Sequence, residues 1–187
     1  MSEYRPLVNT LVTEVSTALD SIDSGDVLEL EQLILQAPHL FLAGTGRSGL
    51  CMRAFAMRLM HLGLSVHVIG DVTTPGITEN DLLLIGSGSG RTTSLVQVAA
   101  LAKALKAKVA LITATRLSPI GAVADRIVEI NAPTPKAAAV TRSFSIQPMG
   151  TLFEQTLGLL LDIIVLQLMG ELSVSAEQMF ARHANLE

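Results

Sequence analysis

The apolar positions of this chain change their period partway along it. Leu7, Leu11, Val15 and Leu19 recur at helical spacing between Tyr4 and Ser21, and Val27, Leu30, Ile34 and Leu35 do so between Val27 and Gln36. Two opening helices are predicted, separated by "DSIDSGD", whose Asp26 is expected to cap the second. The pattern then turns to short apolar runs, "HLFLAG", "SVHVIG", "DLLLIGSG", "KVALITA" and "RIVEINA", each followed by a helical stretch. Strands that are apolar throughout, without polar alternation, are buried on both faces and belong to a parallel sheet. Helices from Arg47 to Leu62 and from Thr92 to Lys106, with one or two helical turns in "TRLSPIGAVAD", connect these strands. "PTPKAAAVTRSFSIQPMGT" has no clear period and reads as a long surface loop. A helix from Thr151 to Met169 and an amphipathic segment from Ala176 to Ala184 follow. The expected fold is a doubly wound three-layer α/β/α sandwich around five parallel strands in the order 2-1-3-4-5, within a single domain spanning residues 1–187.

Composition narrows the partners. With 13 basic against 17 acidic residues and no basic run, and with 3% aromatic residues and no tryptophan, neither a phosphate-backbone footprint nor a base-stacking platform is expected. The lone Cys51 excludes an intramolecular disulfide framework, and "MSEYRPLVNTLVTEV" lacks the basic-then-apolar layout of a signal peptide, so a cytoplasmic location is expected. The longest apolar stretch, "TLGLLLDIIVLQLMG", is interrupted by Asp162 and Gln167 and falls short of about 20 residues. It reads as a core or interface helix, and no membrane partner is expected.

Candidate chemistry lies in two glycine-rich turns. Gly44, Gly46 and Gly49 fit G-x-G-x-x-G after the first strand, and Asp71 follows the second, where a ribose-binding acid would stand. Alone, that match points to a dinucleotide. The second turn, "GSGSGRTTS", argues otherwise: it offers Ser87, Ser89, Thr92, Thr93 and Ser94 where a helix begins, and orphan N–H groups with the helix dipole attract an anion there. No Walker lysine follows either turn, so a hydroxyl-rich cradle for one terminal phosphate fits better than a nucleotide triphosphate with magnesium. In the 2-1-3-4-5 order both turns face the switch point of the sheet. The alternative for Ser87 or Thr92 is ordinary helix capping.

"GTGRSG" followed some 40 residues later by "SGSGRTTS" resembles the sugar isomerase (SIS) domain family. "SIQPMGTLFEQ" and "MFARHANLE" resemble its hexulose-phosphate-isomerising branch, over nearly the whole chain. The resemblance implies interconversion of D-arabino-hex-3-ulose 6-phosphate and fructose 6-phosphate in the ribulose monophosphate pathway, with no metal, nicotinamide or other cofactor. It implies phosphate binding by Ser87, Ser89 and Thr92, with Ser48 and Gly46 of the first turn beside them and Arg47 near the sugar. Glu154 matches the family's acid–base glutamate in G-T-x-x-E, and His183 is the histidine the family sets near the substrate. Homo-oligomers, often tetramers, are implied too, with the site near a subunit interface. Two other functions share the loops: an aldose–ketose isomerase of the arabinose 5-phosphate type, and a non-catalytic phosphosugar sensor, which would require a DNA-binding domain. A dinucleotide-dependent reductase is the third.

Each catalytic candidate has a plainer reading. Thr151-x-x-Glu154 is also a capping box, and a histidine near a chain end is usually solvated. His39, His61 and His67 read as structural. Cys51 reads as a small buried residue, although a helix N-terminus can lower a thiol's pKa.

Overall fold

A helix begins where a side chain takes up its first free N–H groups, and for the second helix that side chain is Asp23. Its carboxylate accepts from the Gly25 and Asp26 N–H groups at 2.7 and 3.2 Å. The expected cap, Asp26, instead lies inside the first turn, where its carboxylate is taken by Arg116 at 2.6 Å and Arg126 at 3.4 Å. The correction follows from the backbone: Asp23 has the extended conformation of a cap, while Asp26 is already helical.

The computed structural model describes residues 4–133 and 145–186. In it α1 (Tyr4–Asp20) and α2 (Ser24–Gln36) precede β1 (Leu40–Gly44), α3 (Gly46–Leu62), β2 (Val66–Val68), β3 (Leu82–Gly86), α4 (Thr93–Ala104), β4 (Lys108–Thr113), β5 (Arg126–Glu129), α5 (Thr151–Glu171) and α6 (Ala176–Phe180). The five strands are all parallel, in the expected order β2-β1-β3-β4-β5. Of the long loop predicted at 133–151, residues 134–144 lie outside the described residues.

Burial on both faces explains the uninterrupted apolar runs. Leu40, Leu42, Leu82, Leu84, Ala110 and Ile112 face a cluster built with α3 and α5, while Phe41, Ala43, Leu83, Ile85, Val109 and Leu111 face one built with α4. Each fully buried leucine or isoleucine contributes about 1.5–3 kcal/mol over its exposed state.

Two connections differ from expectation. Between β2 and β3, residues 69–81 form turns rather than a helix, consistent with Gly70, Pro75 and Gly76 along them. The β4–β5 connection also holds no regular helix; it is a set of hydrogen-bonded turns in which the Ser118 hydroxyl accepts from the Gly121 N–H at 3.2 Å. α5 is longer than predicted. At 21 residues and a mean hydropathy of 1.6 it would satisfy a bilayer by length and composition alone, yet half of its most apolar stretch is buried within the fold. Phe153, Leu157, Leu160, Leu161, Ile164 and Leu168 form the buried face of this helix, and they belong to the same apolar cluster as Met52, Phe55 and Leu59 of α3.

Candidate functional site

Both glycine turns open into one cleft of about 460 Å³. Arg47 and Ser48 of the first turn, Ser87, Ser89 and Thr92 of the second, and Glu154 at the start of α5 all line it. Gly46 is not among the lining residues. Its φ of +56° lets the chain leave β1 and enter α3 at once, a conformation glycine adopts without strain. Gly44 and Gly49 bring strand end and helix into contact: a Cβ on Gly49 would lie 2.8 Å from the Gly44 carbonyl oxygen. The G-x-G-x-x-G spacing therefore serves strand–helix packing, and Asp71 is paired with Arg53 of α3 at 3.0 Å.

Three helices begin at this cleft, and none is capped by a side chain. Thr45, Thr92 and Gly150 are the N-cap residues of α3, α4 and α5, and none makes a side-chain capping bond. The capping alternative for Thr92 thus fails, and first-turn N–H groups of α3 and α4 remain available beside the buried hydroxyls of Ser48, Ser87 and Ser89. Converging helix starts favour an anion through donors and dipole together, each terminus worth about 0.3–1 kcal/mol and more where partly buried.

Glu154 is not a capping-box residue either. Since Gly150 is the cap, Thr151 is already in the helix and its hydroxyl donates to the Pro148 carbonyl at 2.7 Å. The Glu154 carboxylate is held by Arg47 Nε at 2.5 Å, spanning the mouth of the cleft, with the carboxylate side chain 20% exposed and the guanidinium 61%. Cys51 Sγ donates to the Glu154 backbone carbonyl at 3.4 Å. Burial, then the Glu154 charge, pushes this thiol up, so the lowered pKa considered for a helix start is not found.

His183 lies elsewhere. Its ring stacks on His61, the penultimate residue of α3, with centroids 5.4 Å apart, and Arg182 Nη1 donates to the His61 carbonyl at 2.9 Å. Arg47 and Glu154 stand at the opposite end of α3, about 20 Å away at 1.5 Å per residue. Burial, followed by the charge of Arg58, pushes the His61 imidazole down. Among the described residues, no three His, Cys, Asp or Glu side chains gather so as to hold a metal ion.

Several residues of the site were missed in the sequence. Thr45, Gly86, Met149 and Phe153 also line the cleft, and Met149 has a φ of +57°, uncommon outside glycine. The segment that leads to Met149 forms a lip tied to α1 by Glu14, which accepts from the Ser145 hydroxyl at 2.6 Å, the Ile146 N–H at 2.8 Å and Gln147 Nε2 at 3.0 Å. No local pattern signals a partner more than 130 positions distant. Burial alone would raise the Glu14 pKa, but the bonds from Ser145, Gln147 and Ile146 outweigh it and hold the carboxyl below its ordinary value. A depressed folded pKa means that this tie is fully present above the ordinary carboxylate range and is lost as pH falls through the lowered value. The protection factor of the Ile146 amide is expected to fall in that acid window in the wild type, and in Glu14→Ala to be low already at neutral pH.

Similarity to known proteins agrees with this geometry. Residues 33–156 match the family model described as SIS domain. A 3-hexulose-6-phosphate isomerase of Bacillus subtilis is 43% identical over 96% of this chain and 97% of its own length, and one of Mycobacterium gastri is 42% identical over 93% and 86%. A crystal structure from Methanococcus jannaschii, described as inferring a molecular function of 3-hexulose-6-phosphate isomerase, superposes with a TM-score of 0.85 at 31% identity, covering 97% of this chain and 99% of that one. By family match, sequence and fold, the chain belongs to the SIS domain family.

Proposed function

We propose that this protein is a phosphosugar isomerase that interconverts D-arabino-hex-3-ulose 6-phosphate and D-fructose 6-phosphate through an enediolate, as the names of its relatives suggest. The observation that carries it is the meeting, in one cleft, of two uncapped helix starts rich in hydroxyls and one carboxylate paired with arginine.

A hex-3-ulose phosphorylated at O6 cannot close a five-membered hemiketal, so it enters as the open chain. Ser87, Ser89, Thr92 and the first-turn N–H groups of α4 hold its phosphate, with Ser48 alongside. Glu154 removes the C2 proton of the 3-ketose and returns it at C3, one carboxylate serving one face of a planar intermediate. Arg47 fixes the orientation of that carboxylate and sets positive charge beside the oxygens where the enediolate develops. Purified protein incubated with hex-3-ulose 6-phosphate should yield fructose 6-phosphate with added chelator and without nicotinamide. Turnover of arabinose 5-phosphate instead would move the reading to an aldose–ketose isomerase.

Removal of one hydroxyl from a phosphate shell costs about 1–3 kcal/mol. Ser89→Ala should therefore raise KM for fructose 6-phosphate about 5- to 150-fold while leaving thermal stability close to wild type. Unaltered affinity for both fructose 6-phosphate and inorganic phosphate would assign phosphate elsewhere.

The reading extends to formaldehyde fixation in the ribulose monophosphate pathway, in the cytoplasm, by a homo-oligomer, most simply a tetramer. Support for assembly comes from a groove of about 840 Å³ between α1, α3 and α5, where Val12, Leu50 and Leu159 are exposed. Arg47 and Glu154 border both this groove and the cleft, so a subunit seated there would adjoin the site.

A further inference from the structure

We propose that the end of β4 and the β4–β5 connection form a brace that holds the second glycine turn in its anion-binding shape, with Thr113, the last residue of β4, as the positioning residue. The proposal rests on the phosphate role of that turn.

Three backbone groups of the turn are bonded to residues 112–120. The Ser87 N–H donates to the Ile112 carbonyl at 3.0 Å, the Ala114 N–H to the Gly88 carbonyl at 3.0 Å, and the Ile120 N–H to the Gly90 carbonyl at 3.2 Å. Thr113, fully buried at 0% exposure, adds a second donor to the Gly88 carbonyl through its hydroxyl at 3.1 Å, and that hydroxyl accepts from the Thr115 N–H at 3.1 Å. Arg91 Nη2 closes the far side by donating to the Leu117 carbonyl at 3.2 Å. Gly90, at a φ of +59°, sits so close that a Cβ on it would lie 2.1 Å from Ser118 Oγ.

The arrangement has a directional consequence. In a planar trans peptide the carbonyl and the following N–H point in opposite directions. With the Gly88 carbonyl drawn back by Thr113 and Ala114, the Ser89 N–H is turned to the other side. That is the side of the cleft, because Ser87, Gly88 and Ser89 line it and no brace residue does. The backbone donor is thereby set before an anion arrives, and ordering the turn costs little on binding. Thr113 is thus separate from the hydroxyls that meet the phosphate: it touches no substrate and acts through the turn.

Thr113→Val keeps the shape and loses both hydrogen bonds; Thr113→Ser restores them. Thr113→Val should raise KM for fructose 6-phosphate and the Kd for inorganic phosphate about three- to tenfold, with kcat within twofold of wild type, and Thr113→Ser should return both to near wild type. Exchange at the Ala114 and Ile120 amides, which donate to the Gly88 and Gly90 carbonyls, should quicken in parallel. Arg91→Met, on an exposed side chain, tests the brace without touching the core and should shift KM and Kd in the same direction. KM and phosphate Kd unchanged in Thr113→Val and Arg91→Met, in an enzyme that isomerises normally, would overturn the brace alone. So would a loss of kcat in Thr113→Val that Thr113→Ser fails to rescue. Phosphate binding weakened by Thr113→Val in a protein that does not isomerise the sugar would leave the brace standing and overturn the activity.

Discussion

Glu154→Gln should abolish incorporation of deuterium at C3 of fructose 6-phosphate in heavy water while leaving the protein folded and able to bind the sugar. A glutamine retains the length of the side chain, and because Gly150 rather than Thr151 caps α5, helix initiation does not depend on the carboxylate. What is lost is the proton acceptor. General acid–base catalysis by one group contributes about 10²- to 10⁴-fold, so kcat should fall by that factor with KM changed far less, since the proposed phosphate cradle is on the other side of the cleft. Loss of the Arg47 partner is the one confounding effect, because the guanidinium at 2.5 Å would be released. Arg47→Ala separates the two: it removes the same pair yet keeps the base, and should retain measurable C3 exchange. Retained exchange in Glu154→Gln would assign the base to another group.

The fold was legible because its signals are local. Strand runs from Leu40 and Leu82 alternate between two buried faces, so every position is apolar and parallel pairing is legible, whereas the order 2-1-3-4-5 is one of several that a doubly wound sheet allows. The turn residues of the cleft were legible for the same reason, since glycines and hydroxyls at fixed spacing define a helix start. What failed was choice among adjacent candidates. Asp23 and Asp26 are equally good caps by composition, and the ion pairs that engage Asp26 come from Arg116 and Arg126, about a hundred residues on. A separation of 131 positions hides Glu14 beneath the lip of the cleft, and one of 25 hides Thr113 behind the second turn, where its hydroxyl looks like one more polar end to a strand. A capping box at Thr151 was a sound local reading that one residue overturned: Pro148, two positions before the cap, takes the Thr151 hydroxyl instead. Long-range pairing of polar groups leaves no period in a sequence, whereas burial does.

His183 is the residue whose proposed role depends on assembly, and chains that are each weakly active should recover activity when mixed. Within one chain it stacks on His61 at one end of α3 while Arg47 and Glu154 occupy the other, about 20 Å away. A histidine at that distance cannot exchange protons with a sugar held beside Glu154, so a catalytic His183 must serve a neighbouring subunit. The exposed apolar groove bordered by Glu154 gives such a neighbour a seat. His183→Ala should leave the terminal segment docked, because Arg182 still bonds the His61 carbonyl. Glu154→Gln and His183→Ala chains, each weakly active alone, are then unfolded together and reassembled, so that some sites receive Glu154 from one chain and His183 from the other. Random pairing makes about one quarter of the sites complete, and since groups acting as a unit do not add, recovery should approach but not exceed about one quarter of wild-type kcat. Native mass spectrometry verifies that mixed oligomers formed. Mixed oligomers showing only the mean of the two parental activities would remove His183 from the neighbouring site, and with the length of α3 in the way, from catalysis altogether.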